Sequence, residues 1–468
     1  MIPLRLDEVA AAVGGRLSDG ADPATVVTGS VEFDSRKVGR GGLFVAFPGE
    51  RVDGHDFAAA AIDRGAVAVL ATRPVGVPAV LVADPQAALG ALAATVVRRL
   101  PDLTVVGITG SVGKTTTKDL TAALLRHLGE TVAPPESFNN EIGHPYTALK
   151  AGPQTRYLVL ENSARGIGHI AELCRIAPPR IGAVLNVGSA HLGEFGSKEA
   201  IAKAKGELVE ALPPDGVAVL NADDPLVIGM GPRTAARVVT TGRADGADFQ
   251  AVDVRLDTAG HPSYTLLARG EKTPVTLATV GEHQVPASLA AIAIAAQAGL
   301  APADAAAVLR RTGPASRWRM EVTERPDGVT IVNDAYNANP ESMAAALRAT
   351  AAISAGRRTW AILGAMAELG ADAGAAHVEV GRLAASLDID RLVVVGPAAA
   401  GVGEGAAAVQ GWTGESVRVP DVATALDLVS GQLTTGDVVL VKASRAEALE
   451  RVALGLIERA GGTQGGIQ

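Results

Sequence analysis

Seven consecutive residues, Thr109-Gly110-Ser111-Val112-Gly113-Lys114-Thr115, carry glycines, a lysine and hydroxyls in an order suited to holding phosphate. Glycines let backbone N–H groups turn toward an anion, the lysine adds a full charge, and Thr115 offers a hydroxyl to magnesium. The apolar run 103–108 reads as a strand feeding this loop. Leu120, Ala123, Leu124 and Leu128 then share one helical face, ending at Gly129. Strand, glycine loop, Gly-Lys-Thr and helix in that order make a nucleotide site, although Ile108 stands where the strict spacing puts its first glycine. The Asn-Lys-x-Asp element with which a regulatory GTPase reads guanine is absent from the sequence.

Three further side chains could do chemistry beside that loop. Glu161 follows the apolar strand 157–160, so it falls at a strand's carboxyl end, where open α/β sheets bind ligands. His191 follows the strand 184–187 in the same way. In the helix 199–212, Ile201, Leu208, Val209 and Leu212 share a face; Lys205 lies within that stripe and Lys203 points away. A lysine on a buried face has a lowered pKa and a partly neutral amine, which can take up carbon dioxide as a carbamate. The plainer alternative is a lysine snorkelling off its helix.

The elements that must position these groups form more than one core. At 468 residues the chain exceeds a single ordinary core, and two to four domains are expected. Hydrophobic residues make up 48% and charged residues 20%, which excludes a disordered or collagen-like polymer. Lys plus Arg number 42 and Asp plus Glu 50, a net charge of −8. That balance argues against general nucleic-acid or membrane-surface binding and demands that any positive charge be concentrated locally. The single cysteine, Cys174, excludes an intrachain disulfide and a cysteine-cluster zinc site. Met1–Glu8 carries acid where an export signal needs an apolar core, and the apolar stretch 288–301 is broken by Gln297 and Gly299. A soluble, cytoplasmic protein is the expectation.

Leu6, Val9, Ala10 and Val13 open the chain at helical spacing, and strand-like runs follow at 43–47 and 66–70. The alanine-rich helix 86–100 ends at Pro101, the first expected boundary. Strands at 157–160, 181–187 and 217–220 then alternate with helices, the pattern of a largely parallel α/β sheet, before a β excursion over 237–280. A third unit starts near Arg317, with strands at 329–332, 360–363, 392–395 and 438–441.

The phosphate loop through Thr116 resembles that of the Mur ligases, the ATP-dependent amide ligases of peptidoglycan synthesis. The likeness continues in family order through Ser137-Phe138-Asn139-Asn140-Glu141-Ile142-Gly143, Ala190-His191-Leu192 to Ala204-Lys205-Gly206-Glu207, Asn333-Asp334-Ala335-Tyr336-Asn337-Ala338-Asn339-Pro340, Met366-Ala367-Glu368-Leu369-Gly370 and Val441-Lys442-Ala443-Ser444-Arg445. The resemblance implies three domains: a UDP-sugar-binding α/β domain over 1–100, a central phosphate-loop ATPase domain over 101–316, and a Rossmann-like α/β domain over 317–468 that receives the incoming dipeptide. Within the family it points to the reaction joining D-alanyl-D-alanine to UDP-N-acetylmuramoyl-tripeptide, run by a monomer with ATP and magnesium.

The same resemblance assigns roles. Thr109 to Thr116, His283, Arg319 and Asp334 would bind ATP. Thr115, Glu161, His191 and a carbamylated Lys205 would hold magnesium, with Lys114 neutralising the phosphates. Ser35 and Arg36 would receive the uridine diphosphate. Asn139, Asn140, Tyr336, Asn337, Asn339, Lys442 and Arg445 would meet the peptide substrates. Several positions depart from the family pattern: Glu136, Asn162-Ser163, Ala365, Ala443, and Ala287 where an asparagine commonly reads adenine. Two other readings share the phosphate loop, a superfamily ligase that adds glutamates to folate and a nucleotide-binding relative with impaired turnover.

Overall fold

The structure is a computed structural model that describes residues 1–49, 52–188 and 192–461. Three α/β units follow one another along the chain. The first has a five-stranded sheet in the order Arg16–Leu17, Ala79–Leu81, Ala66–Ala71, Gly42–Val45, Val31–Glu32, parallel except at its first pair. Its long helix, Pro85–Arg98, starts cleanly because Asp84 accepts from the N–H groups of Gln86 and Ala87 and Pro85 fills the first turn.

The central sheet has nine strands, and Thr104–Thr109 sits inside it between Thr155–Glu161 and Ile181–Val184. Alternation along that strand serves two cores at once. Val106 and Ile108 face the helices Lys114–Leu125 and Gln284–Gln297. Val105 faces the other way, into a core shared with Leu89, Leu92 and Val96 of the first unit's long helix. The first unit is therefore packed directly onto a face of the central sheet.

The excursion 237–280 is only partly an excursion. Arg237–Gly242 continues the parallel sheet beside Val217–Asn221, and only Pro262–Ala268 is reversed, antiparallel to both Phe249–Leu256 and Glu271–Thr276. The expected strand 181–187 ends at Val184, because Leu185 to Val187 turn away to support the phosphate loop and the Asp224 carboxylate. The apolar stretch 288–301 falls largely in a helix that begins at Gln284 and ends at Gln297, with Ala298 closing it ahead of the left-handed Gly299. Among the described residues no helix is long and apolar enough to cross a membrane.

The third unit's six strands run Glu321–Glu324, Thr330–Asn333, Val438–Lys442, Thr359–Leu363, Arg391–Val395, Glu415–Val419, with only the first antiparallel. Its helices Ala373–Ser386 and Ala400–Ala407 approach backbone to backbone. A Cβ at Gly381 would overlap the Val402 carbonyl, and one at Gly405 the Val378 carbonyl. Gly381→Ala should cost about 3 kcal/mol of stability in urea unfolding, through overpacking rather than through any lost contact. A change below about 0.5 kcal/mol, the usual range for a surface substitution, would show that the two helices do not pack this closely.

Candidate active site

The strand Thr104–Thr109 is where the central sheet reverses its order, since the chain next builds strands on one side and later on the other. A crevice opens at the carboxyl ends of the strands there. Gly113, at φ +84°, turns the chain into the helix Lys114–Leu125, a left-handed position that suits glycine. Asn186 fixes the loop from the neighbouring strand's end. Its Oδ1 accepts from Val112 N–H at 2.9 Å, its Nδ2 donates to Val112 O at 3.0 Å, and its own carbonyl accepts from Ser111 N–H. Sequence reasoning passed over Asn186, although its place after the strand beside the loop was a usable signal.

Lys114 folds over its own loop, donating to Gly110 O at 2.5 Å and Ser111 O at 3.4 Å. The half-buried Lys114 side chain also lines the larger of the two cavities that flank the loop. Burial pulls its pKa down to about 8, with Glu161 working the other way and Arg319 adding to the depression. Thr109 and Thr115 are buried; Thr116 is half-buried. Glu161 ends its strand fully buried, and its Oε2 accepts from the hydroxyls of Thr115 and Ser137, both at 3.2 Å. Its Oε1 is buried without a hydrogen-bond partner and can accept from a cation or donor. Ser137 joins the site through its bond to Glu161, and no local spacing in the segment 137–143 marks it.

Lys205 lies buried in the helix Lys198–Glu210 while Lys203 is exposed, as the stripe required. Burial holds its amine well below the usual lysine range, and the Lys114 charge nearby adds to this. His191 lies outside the described residues.

The third unit closes the crevice from above. Arg319 donates to Thr115 Oγ1 at 3.3 Å and stacks 4.2 Å over the Tyr336 ring, its Nε buried and unpaired. Trp318 and Met320 flank it at φ +57° and +50°, a strained backbone for such side chains. Asp334 holds that backbone: Oδ1 accepts from Met320 N–H at 3.0 Å, and Oδ2 from the buried Lys442 ammonium at 2.6 Å. Lys442 also donates to Asn337 O at 2.7 Å, so its donors serve the 334–337 loop before any ligand. Burial lowers its pKa, with Asp334 opposing.

Two cavities flank the phosphate loop. One, of about 450 Å³, runs from Ser111–Thr116 past Asn139 and Asn140 to Tyr336, Asn337, Asn339 and Arg445. Asn139 donates to Ser137 Oγ at 2.8 Å, Asn140 accepts from Gly143 N–H at 2.9 Å, and Asn339 caps the helix Pro340–Ser354. Arg445 lies 4.6 Å over the Trp318 ring and pairs with Glu450. The other cavity, of about 300 Å³, is lined by Gly113, Asn221, His283, Ala287 and Ala290 on the central unit and by Asp334 and Ser342 on the third. Burial lowers the pKa of His283, with Asp334 opposing. Ser35 and Arg36 line neither cavity; Arg36 is exposed and paired with Asp34 at 2.9 Å.

The departures from the family pattern sort by geometry. Ala443 is buried opposite Gly364, and its backbone is not in the left-handed region that would favour glycine over alanine. Ala365 uses its carbonyl to accept from Ser444 N–H. Asn162 is buried, its Oδ1 without a partner; Ser163 N–H donates to Asn139 O, and Glu136 is exposed. Ala287 faces the smaller cavity. Ala287→Asn should tighten nucleotide binding by about 1 kcal/mol, the usual yield of one added hydrogen bond. Calorimetric titration with ATP measures it; unchanged affinity would place the base elsewhere.

Residues 108–295 match the Mur ligase middle domain, 318–445 the Mur ligase glutamate ligase domain, and 29–105 the Mur ligase family catalytic domain. The chain is 50% identical to the UDP-N-acetylmuramoyl-tripeptide–D-alanyl-D-alanine ligase of Mycobacterium tuberculosis (strain ATCC 25618 / H37Rv), with 98% of each chain covered. It is 34% identical to the ligase of that name from Escherichia coli (strain K12), covering 98% of this chain and 99% of that one. Its fold matches a crystal structure of MurF from Acinetobacter baumannii with a TM-score of 0.86 at 28% identity, over 97% of this chain and 99% of that one. The MurF ligase of Thermotoga maritima in complex with ADP matches with a TM-score of 0.80 at 31% identity, over 93% and 98%. On sequence over nearly all of these residues and on fold alike, the chain belongs to the Mur ligase family.

Proposed function

We propose that the chain is an ATP-dependent ligase that joins D-alanyl-D-alanine to UDP-N-acetylmuramoyl-tripeptide in peptidoglycan synthesis. The observation that carries the reading is the 50% identity, end to end, with a mycobacterial protein whose name states that reaction. The geometry is consistent with it. In our assignment residues 1–100 receive the UDP-sugar, 101–316 the ATP and 317–468 the dipeptide, in a cytoplasmic monomer.

The tripeptide carboxylate oxygen attacks the γ-phosphorus of ATP, the bond to the ADP oxygen breaks, and an acyl phosphate forms. The dipeptide amine then attacks the acyl carbon, loses its proton, and the carbon–oxygen bond to phosphate breaks. In this reading Lys114, Arg319 and the loop N–H groups that Asn186 does not take neutralise the charge that gathers in the first step. Closure of the third unit over the loop keeps water from the acyl phosphate.

Magnesium fits the donors present. Glu161 offers an unpaired buried Oε1, and Thr115 and Ser137 offer hydroxyls within 3.2 Å of its other oxygen. His191 and Lys205 complete the set in this reading, the latter after its neutral amine adds to carbon dioxide and loses a proton. A bound magnesium ion would supply positive charge to the phosphate oxygens. Phosphate release from ATP tests the whole reading: it should require both peptide substrates together, and release with neither substrate, or ATP binding without release, would reject it.

A further inference from the structure

Aromatic residues make up only 3% of this chain, yet four of them meet where the first unit joins the central one. Phe33 packs edge-on to Phe47 at 6.1 Å and to Tyr146 at 5.0 Å, and Phe138 lies 5.6 Å from Tyr146. Phe33 and Phe47 come from the first unit, Phe138 and Tyr146 from the central one. The Tyr146 hydroxyl crosses between them, donating to Glu32 Oε2 at 2.8 Å with both residues buried. The Lys150 ammonium sits 4.4 Å from the centre of the same ring. Burial, reinforced by Glu32, raises the phenol's pKa and keeps it a donor.

Each end of this bond continues into a proposed substrate segment. Glu32 ends the strand Val31–Glu32 and leads into Phe33-Asp34-Ser35-Arg36. Tyr146 belongs to the short helix Gly143–Ala148, whose start is tied to Asn140 by Gly143 N–H to Oδ1 and His144 N–H to O, both at 2.9 Å. A Cβ at Gly143 would fall 2.7 Å from Phe138 Cα, so the segment 137–140 lies folded tightly against that helix. From there Asn139 reaches Ser137, and Ser137 reaches Glu161. An unbroken run of contacts thus links Glu32 to the carboxylate beside the phosphate loop.

We infer that Tyr146 is a positioning residue: its bond to Glu32 fixes the 33–36 segment relative to the 137–140 segment, so that a substrate seated on the first presents its carboxylate at the second. The inference rests on the ligase reading above. A small misplacement across such a span costs rate and binding of the long substrate without touching the nucleotide.

Tyr146→Phe keeps the ring and removes only the hydroxyl. We expect its KM for UDP-N-acetylmuramoyl-tripeptide to rise about tenfold while the Kd for ATP stays within twofold, a split that a general loss of stability would not produce. Glu32→Gln keeps an acceptor and should stay within threefold of the unmodified enzyme in the same KM. Phe33→Leu, at a side chain already 37% exposed, should raise the KM severalfold and serves if Tyr146→Phe does not fold. Unchanged KM in a folded Tyr146→Phe, unchanged KM in Phe33→Leu where Tyr146→Phe does not fold, or equal weakening of ATP and muramoyl substrate, would overturn the inference. Failure of the unmodified enzyme to release phosphate with both substrates would instead reject the ligase reading.

Discussion

Lys114→Met should lower ATP-dependent phosphate release about 10³-fold, the size expected when one preorganised charge at a phosphoryl-transfer site is removed. Methionine matches the length of the lysine stem, and the loop is held from elsewhere by Asn186, so the fold should survive. The lysine is poised by its surroundings: burial has drawn its pKa down to about 8, and its protons go to two carbonyls of its own loop. An arriving polyphosphate replaces those weak acceptors with full negative charge and favours the ammonium. Nucleotide affinity should therefore fall as pH rises through about 8, and binding above that pH should take up a proton. The sign for folding is opposite. The unfolded chain holds this proton up to about 10.5 and the folded chain only to about 8, so the group's contribution to stability grows with pH across that window. Isothermal titration in two buffers of different ionisation enthalpy measures the linked proton; no uptake at pH 9 would show that Lys114 does not meet the phosphates.

Lys205→Ala should lower turnover by about 10²–10³-fold, as for loss of an electrostatic group at the reacting phosphate. An ammonium in this apolar helix face is costly, so burial shifts the amine toward its neutral form, and Lys114 nearby adds to the depression. A neutral buried amine is a nucleophile for carbon dioxide, and a carbamate at Lys205 would reverse the charge that Lys114 feels there. Enzyme prepared free of carbon dioxide should lose most activity and regain it with bicarbonate, faster at higher pH, whereas Lys205→Ala should not respond. Intact mass after gentle preparation should show the addition in the unmodified chain alone. Activity indifferent to bicarbonate, with Lys205→Ala near normal turnover, would leave Lys205 a packing residue.

Both residues were legible in the sequence for different reasons. Lys114 stands in a local pattern whose parts act within one turn of chain, so spacing alone places it. Lys205 was visible because a charged residue interrupts an apolar stripe, and the structure buries it as the helical period requires. Glu161 was placed from a general property of parallel sheets and came out as the last residue of its strand rather than the one after. The groups that sequence left unassigned, Asn186 and Ser137, act across 74 and 24 residues of chain, and no local spacing announces such partners. Lys442 shows the converse. Its position at a strand end suggested a ligand contact, but Asp334 and Asn337, 108 and 105 residues away, already take its protons. Strand order and the packing of the first unit onto the central sheet were likewise beyond periodicity, since Val105 and Val106 look alike in sequence and serve different cores.

The claim that the site activates a carboxylate by phosphorylation is tested most directly by oxygen transfer. UDP-N-acetylmuramoyl-tripeptide labelled with ¹⁸O in its reacting carboxylate should yield inorganic phosphate bearing one ¹⁸O for each amide bond formed, because the attacking oxygen leaves with phosphorus. Phosphate carrying no label while the amide accumulates would contradict the acyl-phosphate account.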